Sequence, residues 1–568
     1  MLKYLADHAP SHNATALAAL VQQSYSNTKY HDHGASIFTD APLLSEITTS
    51  RLIDAYFKLY NTSYPILHER TFRRQCEQRR NWSNIEEKAK TCWMAVYNIV
   101  LAIGSWVLDE ESQDSKFFAA ARSWLSARAL ESGSLTAVQA FLLMGNYVQK
   151  RGMPNTGYNM IGIASRMALG LGMHRDIGQP SQQDTVQVDQ RRLLFWTLFC
   201  FDSGLSITTG RPTINIEAFV DTKLPRNVDE SMLDLGQMAL EEVDYPTTSS
   251  AIIAQAKLAM VANEIHTMFW SVNTPKTESN QDAALTMEVR LFHWRNSLPR
   301  YFTSSEVPEW FLGPRAIVLW KEQNLRLLLW RSSQRRQGDN GKPIAVLKCN
   351  ASAAEAIRDI CIFCREHPEQ VHTGLNWYAT YFLFQALLVL EASHHQQYAA
   401  RSCLKHQQAS ISAANNTSLG IGLGDDEIWR QAMDQGRKCL KALDNPYSTA
   451  GRCYQTLDRL SRFRNLGQSS MLETEEHAEG GRGPHQATIG VDSHTQQQTT
   501  GANAASMSDM ISPDAFYTQL AMSADPSIQL LLDDRQMDGI FQGVEGFPGT
   551  LDEDSFNYMA GWPFENDP

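Results

Sequence analysis

An all-α fold is what this 568-residue chain predicts: a large helical bundle or array of αα-hairpins, followed by a disordered linker and an acidic tail. Three observations carry that expectation. Apolar residues recur at helical spacing from about residue 50 to residue 465. No stretch alternates at period two for long enough to build a sheet. Beyond Leu466 the composition shifts to segments that cannot bury enough apolar surface to offset chain entropy. The chain is 43% hydrophobic and can bury one large core or two. At about 150 residues per domain the length would allow about four domains, a ceiling for a long helical fold.

Taken in order, residues 1–50 form an N-terminal segment, partly disordered, whose start (Met1-Leu-Lys-Tyr-Leu-Ala-Asp-His8) lacks the apolar stretch of a secretory leader. Residues 51–300 read as one regulatory-type helical domain and 301–465 as its helical continuation. The longest apolar run, Cys92 to Leu108, holds seventeen residues including Asn98 and Ser105. It falls short of the roughly 20 residues of a membrane span and predicts a buried core helix. Ser134 is a plausible N-cap for a helix carrying Leu135, Val138, Leu142 and Val148 on one face. Arg151-Gly-Met-Pro-Asn155 is a turn, and a second helix follows with Tyr158, Ile161, Ala164, Ala168 and Leu171 aligned. So short a turn predicts an αα-hairpin, and Gly162, Ala164, Ala168 and Gly170 permit close approach of a neighbour. A third helix, about Gln190 to Ile207, is apolar nearly all round and predicts burial; Gly210-Arg-Pro212 ends it. Later helices are expected over Ile252–Trp270, Ala284–Ser297, Ala316–Arg331, Cys349–Arg365 and Trp377–Glu391.

The linker, 466–507, contains Gly-Gly-Arg-Gly-Pro at 480–484 and a Gln/Thr run. The tail, 508–568, carries twelve acidic residues against one basic residue, leaving 50 acids and 49 bases in the rest. The acidity therefore belongs to the tail, where Leu531, Leu532, Phe541, Phe556, Tyr558, Trp562 and Phe564 are set among the acids. That pattern predicts an activation segment that orders on contact with a hydrophobic groove. Nine scattered cysteines, odd in number, do not suggest a disulfide framework.

Motifs that would signal an enzyme fail on their context. His174-Arg-Asp176 opens like a kinase catalytic loop, but Ser181 stands where the Asn is needed, and no Gly-rich loop or Asp-Phe-Gly accompanies it. Cys361-Ile-Phe-Cys364 lies in a helical pattern and reads as two core thiols. Gly420-Ile-Gly-Leu-Gly424 leads into acids, which disfavours phosphate. Asp533-Asp-Arg-Gln-Met-Asp538 falls in the tail without a second metal motif. No catalytic, cofactor-binding or metal-ligating residue is assigned. Structural roles are expected instead. His174 and Arg175 end a helix where positive charge suits the dipole. Asp202, in a very apolar helix, needs a partner, with Arg211 or Arg192 as candidates. Trp196, Phe199 and Phe201 belong to the core, and the bundle around them is the first place to look for a small effector.

Several segments together resemble the middle homology region of fungal zinc binuclear cluster transcription factors. Leu52-Ile-Asp-Ala-Tyr-Phe57 and Tyr64-Pro-Ile-Leu-His-Glu-Arg-Thr-Phe72 resemble its opening signature. The run from Ala164 to Met-His-Arg-Asp176 resembles its helix ending in Gly-Leu-His-Arg-Asp. Arg191-Arg-Leu-Leu-Phe-Trp-Thr-Leu-Phe-Cys-Phe-Asp202, with Ser206 and Gly210-Arg-Pro212, is the strongest match, and Phe-Cys-Phe-Asp-Ser-Gly is similar to the galactose- and lactose-regulator-like subgroup. The resemblance implies a nuclear transcriptional regulator of RNA polymerase II genes, alternating with the cytoplasm, and the subgroup likeness implies a link to carbohydrate metabolism. It implies coactivator contacts through the tail and a homodimer or family partner. No membrane association is expected. The family's DNA reader holds two zinc ions on six cysteines within about 30–40 residues. Here the first cysteine is Cys76, so no zinc is expected in this chain, and DNA contact is expected only with a cluster upstream. A cluster-less partner or dominant-negative regulator is the alternative reading, and a helical metabolic enzyme the third.

Overall fold

The computed structural model describes residues 45–78, 87–109, 111–125, 130, 133–176, 185–215, 217–229, 242–270, 280–336, 342–410, 423–445, 449–458 and 461. The linker and the acidic tail, with every activation-segment residue named above, lie outside them. Among the described residues every regular element is helical, and no helix is long and apolar enough to cross a membrane.

From Ser50 onward the described residues form one compact unit. Helix α1 (Glu46–Ala55) runs directly into a π-helical turn, Tyr56–Asn61. After α2 (Glu69–Gln78), the long apolar run becomes α3 (Glu87–Val107), whose Ile99, Val100, Ala102 and Ile103 are fully buried. It is a core helix, and α4 (Glu111–Ser123) packs back along it.

The expected hairpin is present as α5 (Leu135–Lys150) and α6 (Pro154–Gly170). The Ser134 side chain accepts the Ala137 amide at 3.1 Å, and Pro154 opens α6, where a missing N–H costs nothing. The two helices meet backbone to backbone, because a Cβ at Gly157 would stand 2.8 Å from the Gly145 carbonyl oxygen. Helix α7 (Thr185–Thr209) packs on α6 and on α8 (Ser250–Trp270). It stops as its last residues predict. Gly210 takes φ +66°, its amide reaches Ile207 O at 3.4 Å, and Arg211 N reaches Ser206 O at 2.9 Å, a Schellman closure.

Beyond it come α9 (Asn280–Asn296), α10 (Glu309–Arg336), α11 (Lys342–Glu366), α12 (Thr373–Ser410) and α13 (Leu423–Ala442), with a last helical stretch over 450–458. Helix α10 packs against α8, α9, α11 and α12, and α12 also reaches α3, so the later helices close over the earlier ones. Buried acids are held by arginines: Glu322 by Arg295 at 3.0 Å and Arg326 at 2.6 Å, and Asp189 by Arg226 at 2.5 Å. Cys361 and Cys364 of α11 are half-buried rather than core, and both face Cys439 of α13.

Candidate functional site

The π-helical turn widens the backbone by one residue per turn and carries Tyr60 inward, where its hydroxyl donates to Asn146 Oδ1 of α5 at 2.7 Å. The chain then bends, Asn61 Nδ2 donating to Leu67 O at 3.0 Å, and this places Tyr64 fully inside. Tyr64 and Tyr378, from the second turn of α12, share a hydroxyl hydrogen bond of 2.5 Å. Lys150, the last residue of α5, is only 5% exposed. Its ammonium lies 4.7 Å from the ring centroid of Tyr378, 5.1 Å from Tyr60, 5.3 Å from Tyr64, 5.7 Å from Trp106 and 6.0 Å from Trp377. Lys321 of α10 lies over the same Tyr64 and Tyr378 rings at 5.2 and 5.7 Å and donates to Gln255 Oε1 at 2.6 Å.

Beside this aromatic box lies a cavity of about 120 Å³ between α5, α7, α8, α10 and α12. Asn146, Gln255, Lys321, Asn324, Tyr378 and Phe382 are among its lining residues, and no Asp or Glu lines it. Lys321 is enclosed by protein but only half-buried, because its accessible surface opens into the cavity. Burial holds Lys150 well below the usual lysine range, and the charge of Lys321 adds to the effect. Burial brings Lys321 down to about 8, and it pushes the Cys200 thiol opposite up to about 12. His372 is lowered to about 4, first by burial and then by Lys150. The site is thus cationic, aromatic and without a carboxylate to balance it.

The residues singled out in the sequence fall elsewhere, with one exception. Phe201 lines the cavity and packs edge-on against Tyr64. Trp196 and Phe199 are buried together, ring centroids 5.1 Å apart, with Trp196 Nε1 donating to Lys223 O. His174, Arg175 and Asp176 form a surface network. The His174 carbonyl accepts from Asp221 and Thr222, Arg175 pairs with Asp221 at 3.1 Å, and Arg192 pairs with Asp176 at 2.8 Å. The Arg192 hydrogen bond is the main cause holding the Asp176 carboxyl below its usual range.

Asp202 is buried at 2% exposure, and neither candidate arginine is its partner. Its Oδ2 accepts Ile214 N, Asn215 N and Asn215 Nδ2, each at 2.9 Å, so it caps the loop after α7. Arg192 is taken by Asp176 and Asp189. Arg211 donates to Asn155 at 2.6 Å and stacks over Tyr158, while the Pro212 carbonyl accepts the Ser206 hydroxyl. Two main-chain amides and one side-chain amide, twelve and thirteen positions ahead in the following loop, meet the need assigned to a guanidinium.

Sequence reasoning passed over Lys150, Lys321, Gln255 and Tyr378. One signal was available. Lys321 sits on the stripe Ile317, Lys321, Leu325, Leu328, and Gln255 on the stripe Ile252, Gln255, Ala259, Ala262, each a polar residue at a core-facing position.

Comparison with known proteins matches residues 53–296 to the fungal specific transcription factor domain. Over 181 residues the chain is 38% identical to the lactose regulatory protein of Kluyveromyces lactis, covering 31% of this chain and 20% of that one. It is 23% identical over 405 residues to the activator of stress genes 1 of Saccharomyces cerevisiae, covering 68% of this chain and 39% of the relative. A transcription factor of Fusarium pseudograminearum matches over 556 residues at 22% identity, covering 90% and 68%. The chain thus spans less than half the length of the first two of these relatives. The match begins inside α1 and ends with α9, across the segments that carry Tyr64, Lys150 and Asp202. What the comparisons show is a fungal specific transcription factor domain over residues 53–296, together with likeness to relatives named as a regulatory protein, an activator and a transcription factor.

Proposed function

We propose that this chain is a nuclear transcriptional regulator of RNA polymerase II genes, its helical body governing an acidic-aromatic activation segment at 508–568. The observation that carries the reading is the placement of the transcription factor domain over the buried helices of the body, beside relatives named as regulators. The finer proposal, control of carbohydrate-metabolism genes, draws on the likeness to a lactose regulatory protein. Coactivators are the partners proposed for the tail. A near-neutral body, 49 bases against 50 acids outside the tail, is not assigned phosphate contacts. DNA contact on this reading comes through a zinc cluster carried with the body or supplied by a family partner.

The test fuses residues 508–568 to an unrelated DNA-binding domain and measures a reporter. The fusion is expected to activate, and replacing Phe556, Tyr558, Trp562 and Phe564 with Ala, which leaves the charge unchanged, is expected to silence it. A silent parent fusion, or equal activity of the four-Ala version, would show a solubilising appendage instead.

A further inference from the structure

Buried charge in this protein is compensated almost everywhere. Glu322, Asp189 and Glu391 meet arginines, Asp114 meets Arg151 and the Tyr147 hydroxyl, and Asp202 receives three N–H groups. The lysine pair departs from that rule. Among the described residues no carboxylate pairs with Lys150 or Lys321, and the two ammonium groups share the Tyr64 and Tyr378 rings. Aromatic faces offset part of the cost of burying an ammonium, about 2 kcal/mol where water is excluded. They do not offset the penalty of several kcal/mol for the buried ion, nor the repulsion between two of them. Lys321 has one hydrogen-bond acceptor, Gln255, and turns the rest of its head group into the cavity.

The cavity supplies the other half of the argument. Leu258, Ala259 and Phe382, with Leu325 and Leu328 from the same stripe of α10 as Lys321, make the apolar part of its wall. Asn324, one turn along α10 from Lys321, also lines the cavity; its buried Oδ1 lacks a donor, and its Nδ2 is the carboxamide atom able to donate to an anion. At roughly 10–15 Å³ of such space per water-sized group, 120 Å³ holds roughly eight to twelve non-hydrogen atoms. A compact inorganic anion would satisfy the ammonium and leave the apolar wall empty. A neutral molecule of that size would fill the wall and leave the ammonium unbalanced.

We propose that this cavity is a binding site for a small organic carboxylate, its anion held by Lys321 and the Asn324 carboxamide and its apolar body against α8, α10 and Phe382. Tyr64, Tyr378 and Lys150 form the floor that keeps Lys321 in place. The proposal stands apart from the regulatory reading, because its test measures binding and not transcription.

The experiment uses the purified full chain in isothermal titration calorimetry, with benzoate and hexanoate as probes. Benzamide and hexanamide serve as neutral isosteres, and sulfate as the inorganic anion. One or both carboxylates are expected to bind saturably at one site per chain. The matching amide and sulfate should be weaker by about tenfold or more, the loss of one charge-assisted hydrogen bond. Lys321→Met should weaken the carboxylate by a similar factor, and Ala259→Phe, which fills the wall and leaves the charge, should abolish binding. Equal binding of carboxylate and amide, no saturation by either carboxylate, or unchanged affinity in Lys321→Met overturns the proposal. Should Lys321→Met lose its helical circular dichroism, the carboxylate–amide pair on the unmodified chain and the Ala259→Phe variant decide the matter.

Discussion

Asp202 offers a measurement that separates two ways of holding a buried carboxylate. Its Oδ2 collects three N–H donors at 2.9 Å, and both Asp202 and Asn215 are 2% exposed. Asp202→Ala would leave Ile214 N, Asn215 N and Asn215 Nδ2 without an acceptor. At about 1–3 kcal/mol for each orphaned buried donor the loss would be about 3–9 kcal/mol. The carboxylate, however, carries its own burial cost, which raises its titration above the ordinary range and disappears with it. Some donors will also find water, so a net loss of about 2–5 kcal/mol is expected. Asp202→Asn keeps an acceptor oxygen in place and removes the charge, and should stay within about 1 kcal/mol of the parent. Urea unfolding of the full chain, followed by far-ultraviolet circular dichroism at neutral pH, gives both differences. An Asn variant as damaged as the Ala variant would refute the reasoning, since that pattern belongs to an ion pair with a stranded arginine. The pH dependence has a definite sign. A carboxyl raised on folding favours the folded state below its unfolded value of about 3.9, and this contribution is lost as pH rises through the folded value. The parent should therefore gain on Asp202→Asn as the solution is acidified through that window.

Gly157→Ala should lower the thermal midpoint, because its Cβ would stand 2.8 Å from a main-chain oxygen that cannot move without its helix, at about 1–3 kcal/mol. Gly152→Ala, at φ +82° with nothing within 4 Å, should cost only about 1 kcal/mol of backbone strain, and a larger loss there than at Gly157 would count against the packing argument. Lys321→Met should raise stability at neutral pH. A fall from 10.5 to about 8 corresponds to about 3 kcal/mol, less the bond to Gln255. The unfolded chain binds more protons between those two values, so the parent gains stability as pH rises from about 8 to 10.5, and the advantage of Lys321→Met should fade across the same window. A difference that stays constant with pH would sink the assignment.

How much of this was legible depended on how local the cause was. The α5–α6 hairpin was readable because Ser134, Arg151-Gly152 and Pro154 act within a few residues of themselves, and the Gly210 stop for the same reason. Helix α7 starts at Thr185, earlier than expected, since Thr-Val-Gln-Val-Asp-Gln shows no apolar stripe. Helix α10 begins at Glu309 rather than at Ala316 and carries Pro314 inside it, because packing on α8 and α12 outweighs one lost main-chain bond. The π-helical turn left no mark, its Tyr56-Phe-Lys-Leu-Tyr-Asn61 pattern being compatible with an ordinary helix. The candidate site was the least legible part. Lys150 and Lys321 stand 171 positions apart, and only tertiary closure puts them over the same two tyrosines.

That closure bears on where the functional unit of the body ends. The family match stops at residue 296, the last of α9, yet Lys321, Asn324, Tyr378 and Phe382 come from α10 and α12. The cavity therefore takes α5, α7 and α8 from the matched region and the rest of its wall from outside it. Any occupant touches both, so it binds only when the two parts are packed together. By mass action it favours that packing, by about 2.7 kcal/mol when present at a hundred times its dissociation constant. Filling the cavity with a carboxylate would also balance the Lys321 ammonium and lift its titration back toward the ordinary lysine range. A single small anion would then change charge, packing and stability at the junction between the family domain and its continuation. On that proposal the body responds to a small anion at this junction rather than at the surface network around His174, Arg175 and Asp176.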